Sequence, residues 1–213
     1  KAKIAAGKTL LYREPPHYIT LGKELPAKAL DEILTDHAEV FTELKEYYKQ
    51  TSESDTTKIS FYEDTYSLYN LYRFAHYYEE AYGKYIWLKS GASLVIEHTE
   101  AMTVIDVNTG SVLKKKKQED TLFYQINREA AKEIARQLRL RNISGIIMID
   151  FINMKDTAQK EKLLSLLDSE CKKDRVHCNV IDMTALNLVE MTRSKVRKPL
   201  HEQIRSCMKN NRS

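Results

Sequence analysis

The segment DTLFYQINREAAKEIARQLRLR, residues 120 to 141, constrains the fold more than any other. Leu122, Ile126, Ala130, Ile134 and Leu138 recur every fourth residue, so a helix here buries one continuous apolar stripe, with Asp120 as the expected N-cap. Apolar runs flank it, MTVIDVN before and ISGIIMIDF after. Two such runs joined by a long helix read as strands of one sheet, because a crossover of that length connects parallel neighbours. A second helical segment, DTAQKEKLLSLLDSECKKD, and a further run, HCNVIDMT, extend the order to strand, helix, strand, helix, strand. The expected fold class is α/β (α+β), with parallel strand pairs and with IIMIDF buried on both faces.

Upstream, SLVIEHTEAMTVIDVNTG contains two β-type runs, Leu94 to Ile96 and Met102 to Val107, divided by the polar EHTE. The first half alternates short elements, PHYITLG, PAKALDEILTD and HAEVFTELKEYYKQ. In the last of these Val40, Phe41, Leu44 and Tyr47 have amphipathic helical spacing. A polar loop, TSESDTTK, precedes the tyrosine-rich FYEDTYSLYNLYRFAHYYEEAYGKY. There Leu68, Leu71, Phe74, Tyr78 and Tyr82 fall on one helical face and are expected mainly to pack, leaving a few exposed rings able to stack on bases.

The 213 residues, 42% hydrophobic and 30% charged, suit one sizeable globular domain or two small ones. The net charge of +4 does not by itself imply a nucleic-acid partner, so local clustering has to carry that claim. No apolar run reaches the ~18 residues of a membrane span, and the N-terminal KAKIAAGKTLLYREPPHY lacks a signal-peptide pattern. Cys171, Cys178 and Cys207 form no CxxC pair, which suits a reducing compartment, so a cytoplasmic location is expected. The chain begins on Lys1 and not on Met, as a piece of something longer would. No glycine-rich phosphate loop, GxSxG or HExxH occurs, which leaves nucleotide hydrolases, serine hydrolases and zincins without support.

A carboxylate inside a strand buried on both faces has to be protonated, paired or bound to a cation. Asp150 stands in such a run, and Asp106, in TVIDVNTG, repeats the pattern, with Asn108 two residues on. Converging at the ends of neighbouring strands, the two carboxylates would suit Mg²⁺, which uses one or two carboxylates and takes waters and phosphate oxygens for the rest. The alternative is that each Asp caps a turn just past its strand, and Asp182 in NVIDMT, a third of the kind, leaves both readings open. Basic residues form three groups. Lys114 to Lys117, including Lys114 and Lys115, make a KKKK loop, and Arg136, Arg139 and Arg141 read as a solvated helix face. Arg193, Lys195, Arg197 and Lys198, in MTRSKVRKPL, are dense enough to face phosphate. His98 and Glu100 are candidates for a general base or for groups that orient metal ligands, against the plainer reading of a hydrogen-bonded turn.

Together, YIWLKSGASLVIEHTEAMTVIDVNTG, NREAAKEIARQLRLRNISGIIMIDFINM and LVEMTRSKVRKPLHEQ closely resemble the ribonuclease E/G family of bacterial endoribonucleases, over about residues 85 to 205. TLLYREPPHYITLGKELPAKALDEILTD is similar to the family's RNase H-like subdomain. The resemblance implies a partial RNase H-like subdomain over 1–88, a DNase I-like catalytic subdomain over 89–203, and a tail over 204–213 at the family's zinc-link position. It implies that Asp106 and Asp150 match the metal-binding aspartates and Asn108 the asparagine that helps hold the site. It further implies Mg²⁺-dependent hydrolysis of single-stranded, often AU-rich RNA, leaving a 5′-phosphate, in the bacterial cytoplasm, with Arg193 as best candidate to steady the phosphate's developing charge.

This chain departs from the family pattern in three places. The family's OB-fold RNA-binding module and 5′-monophosphate sensor lie upstream of the segment that matches LLYRE and are not in this sequence, so a partner is expected to supply them, and a homo-oligomer is the other expected association. The CPxC zinc link is reduced to Cys207 with Asn210, and a lone cysteine makes a poor zinc site. Ala185 and Asn187 stand where the family usually has a basic residue and a glycine, and Asn tolerates the left-handed backbone such a turn needs. The competing expectation is a catalytically weak RNA-binding or assembly module that keeps the nuclease fold.

Overall fold

The computed structural model describes residues 16–24, 30–50, 58–110 and 119–210, with side chains described for all of these except 22–24, 50, 119 and 207–210. Lys114 and Lys115 lie outside the described residues, and Cys207 lies in a helix without a described side chain. The chain forms two compact units, residues 1–75 and 76–213.

In the first unit, helices α1 (His17–Glu24) and α2 (Ala38–Gln50) accompany strands β1 (Glu32–Thr35) and β2 (Lys58–Phe61), which pair in parallel. The expected amphipathic stripe is present: Leu44 and Tyr48 are buried with Ile19, and Val40, Tyr47, Ile33 and Ile59 pack around them. The tyrosine-rich segment departs from the expected single buried helix. It breaks into α3 (Leu68–Leu71) and α4 (Phe74–Tyr82) at Arg73, whose φ of 53° ends a helix in the left-handed conformation usually supplied by glycine. Leu68 is buried, whereas Leu71, Phe74, Tyr78 and Tyr82 are exposed, so the break takes the aromatic positions out of register with any core.

The second unit is built on a six-stranded sheet in the order β3-β4-β5-β6-β8-β7. Its strands are β3 (Tyr85–Trp87), β4 (Ser93–His98), β5 (Met102–Asn108), β6 (Gly145–Asp150), β7 (Cys178–Met183) and β8 (Leu188–Arg193). β3, which precedes residue 88, belongs to this sheet. β5 and β6 are parallel, joined through helix α5 (Glu119–Leu140), as the apolar runs predict. The other adjacent pairs are antiparallel: β3, β4 and β5 follow one another through short turns, and β8, a strand hidden in the polar LVEMTR, inserts between β6 and β7. α5 begins at Glu119, which puts Asp120 inside the helix and not at its cap.

One face of the sheet is covered. Ile126, Ala130, Ile134 and Leu138 of α5, and Leu163 and Leu167 of helix α6 (Thr157–Cys171), pack on Leu94, Ile96, Ile105, Val107, Ile147, Ile149, Val189 and Met191. Each of the Leu, Ile, Val and Met side chains contributes roughly 1.5–3 kcal/mol on full burial. The opposite face carries Val95, Val104, Asp106, Met148, Asp150, Leu188 and Glu190, all exposed or half-buried. The expectation that β6 is buried on both faces is therefore wrong: Ile147 and Ile149 are fully buried, whereas Ile146 is 50% exposed. Helix α7 (Leu200–Asn210) follows β8, so the expected tail over 204–213 begins inside a helix.

α5 stops at Asn142, whose φ is 48°. Ile143 N–H donates to Leu138 C=O (3.0 Å) and Asn142 N–H to Arg139 C=O (3.2 Å), the paired bonds of a left-handed C-terminal cap. Asn187, with φ of 64°, provides the left-handed turn expected between β7 and β8, and its side-chain oxygen accepts from Lys160 Nζ at 2.6 Å.

Candidate active site

Strand register brings the two aspartates together. In the parallel pair β5 and β6, Asp106 is the direct partner of Asp150, at the C-terminal ends of both strands. That edge of an α/β sheet is the usual ligand position. Alternation does the rest: Thr103, Ile105 and Val107 point into the core, which turns Asp106 and Asn108 to the open face, and Ile147 and Ile149 do the same for Asp150. Asp150 is exposed, so full burial is not what a cation would have to offset here.

The electrostatics still favour a cation. Partial desolvation, and then the neighbouring Asp106 charge, raise the Asp150 carboxyl above its ordinary value. The Asn108 side-chain amide donates to Asp106 Oδ2 at 2.7 Å, which fixes one carboxylate orientation. Among the described residues no group of three or more His, Cys, Asp or Glu side chains forms a metal cage. Two adjacent carboxylates with solvent in front of them form the kind of site Mg²⁺ uses, because that ion retains waters and takes phosphate oxygens.

A positioning residue that sequence reasoning did not single out lies behind Asp150. Asn127 of α5 is fully buried; its amide donates to Ile152 C=O (2.7 Å) and accepts from Ile152 N–H (3.0 Å). This two-bond clamp holds the chain two residues past Asp150. The available signal was a polar side chain in NREAAKE next to the apolar stripe position Ile126, where a buried amide needs a buried partner.

The other expected site residues do not join the pair. Arg193 is 4% exposed and points into the covered side: Nε donates to Asp174 (2.9 Å), and Nη1 to Asn142 Oδ1 (2.9 Å) and Ile143 C=O (3.0 Å). It pairs across the sheet with Gly145, while Asp150 pairs with Leu188, which separates Arg193 from Asp150 by about 17 Å along the strands. Arg193 is thus a buried structural ion pair and not a phosphate contact. Lys195, exposed and 3.7 Å from Glu202, and half-buried Arg197 follow it at that far end. The RQLRLR group is only in part a solvated face: Arg139 is exposed, as expected, and Arg141 is not. Arg141 is buried and donates to Gln137 (2.7 Å) and Glu80 C=O (2.9 Å), and Arg136 pairs with Glu80 and Glu133.

His98 is likewise remote. It pairs with Thr103, about 10 Å along β5 from Asp106, and on the covered face. Its Nδ1 lies 3.0 Å from Thr103 Oγ1, and its ring stacks on His201 with centroids 3.9 Å apart. Burial, followed by the nearby His201, Arg141 and Arg205, lowers the His98 pKa to about 4, so the imidazole is neutral near pH 7. Glu100 occupies the exposed β4–β5 turn. Neither residue orients the aspartates. A pocket of about 280 Å³ opens beside His98, lined by Lys84, Glu97, Arg141 and His201 among others, and does not include Asp106 or Asp150. No described helix is long and apolar enough to cross a membrane.

Comparison with known proteins identifies relatives of this sequence. The model of the "Ribonuclease E/G family" matches residues 1–196. Ribonuclease G of Haemophilus influenzae is 37% identical over 193 residues, 91% of this chain and 39% of the relative. Ribonuclease G of Escherichia coli K12 is 38% identical over 171 residues, 80% of this chain and 35% of the relative. A cyanobacterial relative, Ribonuclease E of Nostoc, is 31% identical over 205 residues, covering 95% of this chain and 30% of the relative. The chain therefore spans between 30% and 39% of the length of these relatives.

Proposed function

The chain belongs to the ribonuclease E/G family, and from that premise we propose that its sheet unit is the catalytic core of an endoribonuclease that hydrolyses unpaired, AU-rich RNA with Mg²⁺ and leaves a 5′-phosphate on the downstream product. One observation supports this above all: Asp106 and Asp150 stand side by side at the C-terminal ends of neighbouring parallel strands, on the face left open to solvent. In this reading the unit over 76–213 is the DNase I-like part and the unit over 1–75 the partial RNase H-like part.

The roles follow from the side chains. Asp106 and Asp150 hold the cation, and Asn108 steadies Asp106 by its 2.7 Å bond. A Mg²⁺ ion bound there would polarise the scissile phosphate and acidify a water for in-line attack. The water oxygen bonds to phosphorus as the 3′ oxygen leaves, so the products carry a 3′-hydroxyl and a 5′-phosphate. Asn127 positions Asp150 through the Ile152 backbone and touches no reacting atom. An open sheet face suits unpaired strands, whose bases can splay onto it, better than an A-form duplex, which hides its base edges.

A second reading, a catalytically weak RNA-binding or assembly module, draws support from a specific observation. The described basic segment 193–198 lies at the sheet end away from the aspartates, so no described cation of that segment stands ready to stabilise charge at phosphorus. The test is incubation of a short AU-rich RNA with the chain in Mg²⁺ or in EDTA, with the product masses read. Mg²⁺-dependent fragments bearing 5′-phosphate support the nuclease. Intact RNA in both tubes, with RNA bound, supports the module.

A further inference from the structure

The row of the sheet that holds the aspartates continues outward to aromatics. Asp106 pairs with Val95 of β4, and Val95 pairs with Tyr85 of β3; in the next row Asn108 pairs with Ser93 and Ser93 with Trp87. Directly paired residues share a face, so Tyr85 and Trp87 stand on the open side, two strand spacings or about 10 Å from Asp106 and Asn108. Trp87 is 73% exposed and Tyr85 59%. A strand that leaves its two large rings in water, while Ile86 between them is buried, presents those rings to something other than the core.

The platform is held rigidly. Glu129 of α5 accepts from the backbone amides of Lys89 (2.7 Å) and Ser90 (3.3 Å), which fastens the turn after Trp87 to the helix. Gly110, with φ of 56°, passes so close to that turn that a Cβ there would meet Gly91 O at 2.6 Å. The loop leaving Asn108 and the turn leaving Trp87 are therefore packed together. Cations accompany the rings: Lys84 Nζ lies 5.7 Å from the Tyr85 ring centroid, and Lys89 is exposed in the turn.

We propose that Trp87 and Tyr85 form a stacking platform for unpaired RNA bases a nucleotide or two from the scissile phosphate, with half-buried Val95 between rings and aspartates. The inference rests on the nuclease reading for its substrate and deepens it by naming where the bases sit. Aromatic faces take every base, so the platform selects single strands over duplex without selecting sequence. It also explains why a three-residue edge strand, which contributes little pairing, carries such large exposed side chains.

Trp87 is the only tryptophan in the chain, so its emission isolates this position. The experiment titrates the Asp150→Asn chain, in Mg²⁺, with a labelled A/U-rich oligonucleotide, its duplex, and an abasic strand of equal charge. Label anisotropy follows binding in the same samples. The expected result is Trp emission quenched by the unpaired strand and not by the abasic one. Trp87→Ala, in the chain with Asp150 intact, should raise KM about tenfold, more than it lowers kcat, and Trp87→Phe should recover most of the loss. RNA that is cut by the unmodified chain while Trp87 emission and the Trp87→Ala KM stay unchanged overturns the platform and leaves the nuclease standing. Quenching without any cleavage by the unmodified chain keeps the platform and removes the nuclease. Emission that shifts with protein concentration in the absence of RNA assigns the rings to contact between two copies and overturns the proposal.

Discussion

Asp150 is a residue whose role depends on which neighbours share its face. The same IIMID run that reads as doubly buried places alternate residues in different worlds, with Ile147 and Ile149 at 0% exposure and Asp150 in solvent beside Asp106. Arg193 shows the reverse: a cation in a basic stretch, taken for a phosphate ligand, is sealed against Asp174. Arg193→Ala should therefore cost roughly 3–5 kcal/mol of stability by stranding a buried Asp174 charge. Denaturant unfolding measures it, and the salt slope of RNA binding should not move if the protein is assayed well below its unfolding midpoint. His98 supplies a pH signature. Its folded pKa of about 4 lies below the unfolded value near 6.5, so the unfolded chain binds more protons between those limits. Its contribution to stability is full above about pH 6.5 and is lost as pH falls towards 4. Melting curves across that window should show the loss, and His98→Gln should flatten it.

At the scale of elements, the most legible part was α5 with its two flanking strands, because a four-residue apolar repeat of that length has a single helical reading and a helix of that length dictates a parallel pair. The adjacency of Asp106 and Asp150 was one of two readings the strands left open, because Asp182 repeats the pattern, and the register of β5 against β6 is what places them side by side. β8 was not, since LVEMTR alternates and ends in charge; its inward residues, Val189, Met191 and Arg193, include the cation that disguised it. Nor was the β3 edge, whose three residues are too short to show a period. Asn127 couples these elements. Asn127→Ala leaves the partly buried N–H and C=O of Ile152 without their side-chain partner, which should destabilise the sheet unit by about 1–3 kcal/mol. Because Ile152 lies just past Asp150, cleavage should also slow under conditions where the variant is folded. Unfolding and single-turnover rates, measured side by side, separate the two effects.

At the scale of the molecule, two units carry different loads. The first has a small core around Leu44 and a two-stranded sheet, whereas the second buries the continuous α5, α6 and sheet core that sets the positions of Asp106 and Asp150. Pairing the carboxylates on the uncovered face desolvates them only in part and leaves room for waters and phosphate, an arrangement suited to a metal-assisted nuclease and of little use to folding. The central claim is that this pair carries the chemistry. The measurement is single-turnover cleavage of a fluorescent AU-rich single strand in Mg²⁺ by the chain and by its Asp150→Asn variant, with circular dichroism confirming the fold of both. The account predicts that cleavage by the variant falls at least a hundredfold, about 2.7 kcal/mol or more of lost transition-state stabilisation, with an unchanged spectrum. A folded Asp150→Asn chain that cuts as fast as its parent would contradict it.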